Sequence, residues 1–69
     1  MRIRYDEDVD AITIVYQLDR EIHDSDEPHQ GVVMDYDAQG SLVSIEVLDA
    51  SKRFHDVESV QYEKTSSRG

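Results

Sequence analysis

The fold is decided by residues 31–48, which read GVVMDYDAQGSLVSIEVL. Apolar side chains alternate with other side chains on both sides of a short polar stretch at residues 37–40. Alternation with a period of two is typical of a strand with one buried face, and Gly40 can adopt the positive φ that a tight turn requires. The pattern predicts a β-hairpin with strands at residues 31–36 and 41–48.

A second hairpin is predicted in the N-terminal part of the chain. Residues 1–5 alternate strictly, and residues 11–18 are rich in the β-branched and aromatic side chains that favour strands. The acidic run at residues 6–10 connects these two predicted strands. We expect the two hairpins to form one sheet whose apolar side chains share a buried face. That face is predicted to contain Ile3, Tyr5, Ile12, Ile14, Val32, Met34, Val43, Ile45 and Val47.

The segment between the two hairpins has a different character. Residues 19–30 contain five acidic residues, one basic residue and the only proline of the chain. Such a composition predicts a mobile surface loop, with at most a short edge strand around Ile22.

The C-terminal part begins with a predicted helical turn near residues 50–54. Asp49 is a reasonable N-cap, since its carboxylate can accept the free amide hydrogens of the first turn, and Lys52 and Arg53 lie toward the end that favours cations. Residues 57–63 can form a helix or a fifth strand, and their alternation favours the strand.

The fold class that follows is mainly β, a β-rich α+β domain. Two antiparallel hairpins make a sheet of four or five strands, with one short helical turn near residues 50–54. We expect a single domain at residues 1–64 and a frayed polar tail at residues 65–69.

Composition restricts the classes of partner. The chain has 69 residues, 16 acidic and 7 basic, with a formal net charge of −9. Such a charge repels phosphates, so we expect neither direct nucleic-acid binding nor attachment to a membrane. No cysteine is present, which fits a reducing compartment, and we expect a soluble, cytoplasmic protein.

A chain of this length buries only about 60% of the surface that its unfolded form exposes, and it usually needs a further source of stability. Disulfides are excluded because cysteine is absent. We therefore predict a homodimer, packed either sheet face on sheet face or edge to edge.

One spacing approximates a calcium-binding EF-hand loop. Counted from Asp35, it places Asp37 at position 3, Gln39 at position 5, Gly40 at position 6 and Glu46 at position 12. An EF-hand requires a helix on each side, whereas both flanks here alternate like strands. We interpret the stretch as a β-turn with an acidic rim.

The sequence predicts no purposeful metal site and no cofactor. The only candidate ligands with any proximity along the chain are His23, His29, Asp24 and Asp26. No glycine-framed nucleophile and no phosphate-binding glycine loop is present, and carboxylates are too abundant for any pair to indicate catalysis. We therefore expect a protein that is not an enzyme, with no catalytic residues.

The acidity is concentrated in the hairpin part of the chain. Residues 1–50 contain thirteen acids and three bases, and residues 51–69 contain three acids and four bases. Such asymmetry favours encounter with a cationic partner. The candidate contact residues are Asp6, Glu7, Asp8, Asp10, Asp24, Asp26 and Glu27.

Four blocks of the sequence resemble a bacterial family known as domain of unknown function 2283. They are MRIRYD at residues 1–6, DAITI at residues 10–14, GVVMDYD at residues 31–37 and GSLVSIEVLDASKR at residues 40–53. The resemblance spans about residues 1–54, and the chain departs from it in the loop at 19–30 and after Phe54. It implies a small β-rich protein without established activity, and an antitoxin-like partnership with a small basic toxin.

Three functions remain open at this point. The leading one is an acidic protein-interaction module for a basic protein, with an antitoxin-like role. The second is a metal- or ligand-binding accessory protein that uses the loop at residues 19–30, and the third is a self-assembling structural unit.

Overall fold

The computed structural model of the protein describes residues 1–66. This part of the chain is mainly β, as predicted. Its strands are β1 (Arg2–Asp6), β2 (Ala11–Val15), β3 (Asp24–His29), β4 (Val32–Tyr36) and β5 (Leu42–Val47), and its helix is α1 (Ala50–Arg53). No helix within residues 1–66 is long and apolar enough to cross a membrane.

The strands form a single antiparallel sheet in the order β1-β2-β5-β4-β3. Both predicted hairpins are present, since β1 pairs with β2 and β4 pairs with β5. Gly40 has a φ of 83° in the turn of the second hairpin, as its position in the sequence predicts. The two hairpins are joined by pairing of β2 with β5, which leaves β1 and β3 at the edges of the sheet.

The predicted loop at residues 19–30 is in part a strand, so that prediction was wrong for half of the segment. The edge strand is β3, and it does not lie around Ile22. All six β3 residues are exposed, and their sequence, DSDEPH, has no apolar alternation. The strand pairs with β4 through backbone hydrogen bonds. Such pairing produces no pattern of apolar side chains in the sequence.

The apolar face of the sheet consists of two cross-strand rows. One row is Ile3, Ile14, Ile45 and Met34, and the other is Tyr5, Ile12, Val47 and Val32. The prediction that these eight side chains share a face is confirmed by their register, but none of them is buried. Ile3 is 44% exposed. A single sheet provides no second layer of regular structure to cover this face.

Val43 was assigned to the wrong face. The pairing of β4 with β5 shifts between Asp35 and Tyr36, so that Val43 is an extra residue in a β-bulge. Its carbonyl accepts hydrogen bonds from the backbone N–H groups of Tyr16 (2.8 Å) and Gln17 (3.2 Å). The bulge interrupts the alternation and places the Val43 side chain, which is buried, on the face opposite the two apolar rows.

The C-terminal segment crosses the apolar face without forming regular structure. The expected strand or helix at residues 57–63 is absent, and the fifth strand of the sheet is β3. Val57 and Val60 line shallow cavities together with Ile3 and Ile12. The segment thus contributes apolar side chains to the sheet and leaves its own backbone unpaired with any strand.

Helix α1 is capped by a residue distant in sequence. Asp49 has a left-handed conformation, with a φ of 52°, and makes no side-chain cap, so its predicted role was wrong. Asp10 takes that role. Its carbonyl accepts the N–H of Ala50 (2.9 Å), and its Oδ1 accepts the N–H of Ser51 (3.0 Å). Lys52 and Arg53 lie in the last turn, as predicted.

The division of the chain into a domain at 1–64 and a frayed tail at 65–69 stays a prediction. Residues 67–69 of that tail lie outside the described residues. Residues 65 and 66 have no regular secondary structure.

Candidate functional site

The most buried side chains of this small domain include a carboxylate. Asp35 on β4 is 2% exposed, and Ser44 on β5 is also buried. The Ser25 hydroxyl donates to Asp35 Oδ1 (2.6 Å), and the Ser44 hydroxyl donates to Asp35 Oδ2 (2.7 Å). An ionised group is costly to bury unless its oxygens are satisfied, and the two strands on either side of β4 supply these partners.

Glu46 completes the cluster. It lies on β5, two residues from Ser44, and Val33 stands opposite it, so that Glu46 and Asp35 are diagonal neighbours on one face. A hydrogen bond to Asp35, partial burial and the Asp35 charge raise the pKa of Glu46 above its ordinary value of 4.5. Burial by itself raises the pKa of Asp35, but hydrogen bonds from Ser25, Ser44 and Glu46 outweigh it and lower the pKa below 3.8. A single proton on this pair is therefore carried by Glu46, which donates it to Asp35.

The carboxyl pair opens onto a concavity of about 400 Å³ on the face opposite the two apolar rows, here called the polar face. The wall also contains two arginines, Arg4 and Arg20, and the polar side chains of Thr13 and Gln17. Asp6 and Ser44 also line the wall, and its apolar side chains are those of Val9, Ala11, Val15, Leu18, Ile22 and Val43. The polar face thus combines two arginines, three carboxyl groups and a hydrophobic wall in one open depression.

Asp37 organises the turn between β4 and β5. It is 5% exposed, and its Oδ1 accepts the backbone N–H groups of Gln39 (3.0 Å) and Ser41 (2.9 Å). Its Oδ2 accepts no hydrogen bond and lies 3.7 Å from Arg20 Nη1. Asp37 therefore stabilises a β-turn of the kind expected from the sequence.

The apparent calcium loop is a hairpin in the structure. Strands lie on both sides of the turn, and Glu46 reaches Asp35 across the sheet. Within residues 1–66, no group of three or more histidine or carboxylate side chains is close enough to hold a metal ion. Asp35 and Glu46 form a pair of two carboxyl groups, which is not the oxygen cage that calcium requires.

The candidate metal ligands of the 19–30 segment are spread along an edge. His23 precedes β3 and His29 ends it, so an extended backbone separates them by about 20 Å. Asp24 and Asp26 lie between them with exposed side chains. The structure does not bring these four residues together.

The candidate partner contacts fall into two groups at opposite edges of the sheet. They are Asp6, Glu7 and Asp8 beside β1, and Asp24, Asp26 and Glu27 on β3. Four strand spacings separate the edges, which amounts to about 19 Å. The sequence placed these acids in one contact set, but the fold divides them into two surfaces.

Asp10 belongs to neither surface because its carboxylate is used within the fold. Its Oδ1 accepts the Tyr5 hydroxyl (2.8 Å), and its Oδ2 accepts the Ser51 hydroxyl (2.7 Å). Hydrogen bonds from Ser51 and Tyr5 lower the pKa of Asp10 below its ordinary value. Asp10 joins the first hairpin to α1, and the fold accounts for it fully.

Sequence reasoning missed the cluster of Asp35, Glu46, Ser25 and Ser44. A signal was available, because alternation places Ser44 and Glu46 on the face opposite Ile45 and Val47. The position of Ser25 could not be predicted in the same way, since β3 has no alternation to reveal it.

Replacing Glu46 with glutamine tests the shared proton. A raised pKa in the folded state stabilises the fold below pH 4.5, and that contribution is lost as the pH rises through the raised pKa of Glu46. Glutamine keeps a donor toward Asp35 at every pH. We therefore expect E46Q to exceed the wild type in free energy of unfolding by about 1 kcal/mol at neutral pH, and by less at pH 4.5. Urea unfolding followed by circular dichroism at the two pH values measures the difference.

The control for that experiment is Glu7→Gln, which removes the same charge from an exposed turn position. It reports the effect of net charge alone. An E46Q advantage that is equal at both pH values, or matched by E7Q, contradicts the shared proton.

The comparison with known proteins gives one match. The family model described as a protein of unknown function (DUF2283) matches residues 2–51, which is more than half of the chain. Neither a curated protein nor a solved structure matches the sequence. The matched region covers all five strands and the start of α1, so it contains the hairpins, the carboxyl pair and the Asp10 cap. The chain belongs to the DUF2283 family of proteins of unknown function.

Proposed function

We propose that this protein is a non-enzymatic, acidic protein-interaction module that binds a small basic protein in the cytoplasm, in the manner of an antitoxin. One observation carries the proposal. Between residues 1 and 66 a single ion pair is formed, that of Arg20 with the buried Asp37, so no exposed carboxylate in this part of the chain is paired with one of its lysines or arginines. The lysines or arginines of a partner could pair with these carboxylates without first breaking ion pairs within this part of the chain.

The β3 edge supports this function better than the turn beside β1. Asp24 is paired with Tyr36, and Asp26 is paired with Met34. Both acids therefore stand at the border of the apolar face, next to half-buried apolar side chains. Such a border fits an amphipathic basic segment, with its apolar side chains on Met34 and Tyr36 and its cations on Asp24 and Asp26.

A charge-neutral variant of β3 tests the proposal against a matched control. The variant carries Asp24→Asn, Asp26→Asn and Glu27→Gln, and the control carries Asp6→Asn, Glu7→Gln and Asp8→Asn. Each removes three negative charges and keeps side-chain size. We expect a small basic protein from the native host to be retained by the wild type and the control, and at least about tenfold less by the β3 variant. Quantitative mass spectrometry of the bound fractions measures retention.

Two results would contradict the proposal. One is that no basic protein is enriched on the wild-type bait. The other is that the three baits retain the same basic protein equally, because binding would then not depend on the β3 carboxylates.

A further inference from the structure

The two edges of the sheet are unequal. The β3 edge carries Asp24, Asp26 and Glu27, contains Pro28, and has an irregularity between Asp26 and His29. Charges, proline and bulges at a sheet edge all oppose pairing with another strand. This edge is therefore protected against addition of a second copy of the chain.

The β1 edge also carries charged side chains, at Arg2, Arg4 and Asp6, but it lacks the other two protections. All five residues of Arg2–Asp6 pair with β2 in an unbroken register, and the strand contains neither proline nor a bulge. Ile3 is 44% exposed at this edge although it belongs to an apolar row. A regular strand with an exposed apolar side chain and a free edge is a template for pairing.

The sequence of β1 is complementary to itself. We propose that β1 pairs antiparallel with β1 of a second copy, so that one continuous sheet of ten strands crosses a two-fold axis at Arg4. Arg2 then stands opposite Asp6 of the partner subunit, and Ile3 stands opposite Tyr5 of the partner subunit. The first pair joins opposite charges on the polar face, and the second extends the apolar rows across the dimer.

This register places one pair of like charges opposite each other, the two Arg4 side chains at the two-fold axis. Each Arg4 lines the same concavity as Glu46 and Asp6 of its own subunit, so the surface around the axis also carries acidic side chains. A shift of two residues in one direction would place Arg2 opposite Arg4 of the partner subunit and add like-charge pairs. A shift in the other direction would extend the pairing into the turn after Asp6 and shorten the ladder. The full-length register therefore fits best.

This dimer would supply what a chain of 69 residues lacks. Among the described residues, the buried apolar side chains are Ala11, Val43 and Ala50, a small core even for this size. Pairing at β1 covers Ile3, satisfies the free backbone groups of that edge and leaves the β3 edge exposed at both ends of the assembly. It is independent of the proposed basic partner, which would bind at β3.

Single cysteines test the register, because the chain has no cysteine of its own. At the axis, Arg4→Cys places two sulfur atoms on directly opposed residues, within reach of a disulfide. Arg2→Cys is the matched control, since its two copies would be four residues apart along the strands, about 13 Å. On mild oxidation, we expect R4C to migrate at twice the 8.0 kDa of one chain and R2C to remain at 8.0 kDa.

A charge exchange gives a second readout in solution. Arg2→Glu or Asp6→Arg alone places like charges opposite each other, and we expect each to weaken the dimer about tenfold. The two changes together restore opposite charges and should restore the dimer. Sedimentation equilibrium measures the dissociation constants, and circular dichroism verifies that each variant is folded.

The proposal is overturned by any of three results. The first is a wild type that sediments as an 8.0 kDa monomer at about 100 µM. The second is R2C crosslinking as readily as R4C. The third is a folded double variant that dimerises no better than the single ones.

Discussion

Replacing Asp35 with alanine is expected to lower the free energy of unfolding by about 3 kcal/mol. The change removes the acceptor for two hydroxyl groups, at 2.6 Å from Ser25 and 2.7 Å from Ser44, and the acceptor for the Glu46 proton. Ser44 is buried and cannot turn to water, so its donor is left unsatisfied. Because a domain of this length has a few kcal/mol of stability, a large unfolded fraction should be present at room temperature. Urea unfolding monitored by circular dichroism measures the loss.

The matched control is Asp26→Ala, which removes the same charge from an exposed position on β3. We expect it to change the free energy of unfolding by less than about 0.5 kcal/mol, as for most surface substitutions. Asp35→Asn should fall between the two, because an amide oxygen still accepts one hydroxyl hydrogen. Equal losses for D35A and D26A would show that the buried cluster contributes nothing beyond net charge.

Replacing Gly31 with alanine is expected to cost about 2 kcal/mol, compared with about 1 kcal/mol for Gly40→Ala. Both glycines have positive φ, 82° and 83°, so both substitutions carry the strain of a left-handed side chain. They differ in their surroundings. A Cβ at Gly31 overlaps the Arg53 guanidinium, whereas a Cβ at Gly40 has no neighbour within 4 Å. The G31A protein must displace Arg53 from the carbonyls of Gln30 and Leu48, to which it donates at 2.8 Å.

The difference between the two glycine variants isolates the contact with Arg53. In an Arg53→Met background the guanidinium is absent, and the losses from G31A and G40A should become equal. Thermal unfolding of six proteins, the wild type, R53M and the two glycine variants in each background, provides the comparison. A G31A loss that is unchanged by R53M would mean that Arg53 does not determine the cost at this position.

These variants separate the two sources of rigidity in the sheet. Asp35 ties β3, β4 and β5 together on the polar face through side chains. Arg53 ties α1 to the turn between β3 and β4 and to the end of β5 through backbone carbonyls. Loss of either is expected to loosen β3, the edge proposed to contact a basic partner, so the interaction experiments require variants that leave both intact.

Local pattern predicted most of the sheet. Alternation along residues 1–5, 11–18, 31–36 and 41–48 gave the two hairpins and the eight residues of the apolar rows, because side chains in a strand change sides at every step. The glycine at position 40 similarly identified its own turn. These features depend on residues that are close along the chain, so they can be predicted from the sequence alone.

The alternation of side chains did not predict the structure where a residue interacts with one that is distant along the chain, or where backbone atoms make the interaction. Val43 lies on the face opposite the predicted one because a bulge adds one residue to β5. Strand β3 was not predicted because backbone pairing with β4 and the hydrogen bond of Ser25 to Asp35 hold it, and neither produces an apolar alternation in its sequence. The C-terminal segment alternates, but it lies across the sheet and does not join it.

What the sequence determined by itself is therefore a mainly β chain with two hairpins, one apolar face and a large excess of negative charge. Only the tertiary structure decided that Asp35 and Glu46 form a hydrogen-bonded carboxyl pair, that Asp10 caps a helix 41 residues away, and that the acidic groups lie on opposite edges. The physical reason is that alternation assigns a side chain to a face, whereas the order of strands decides which side chains on that face meet.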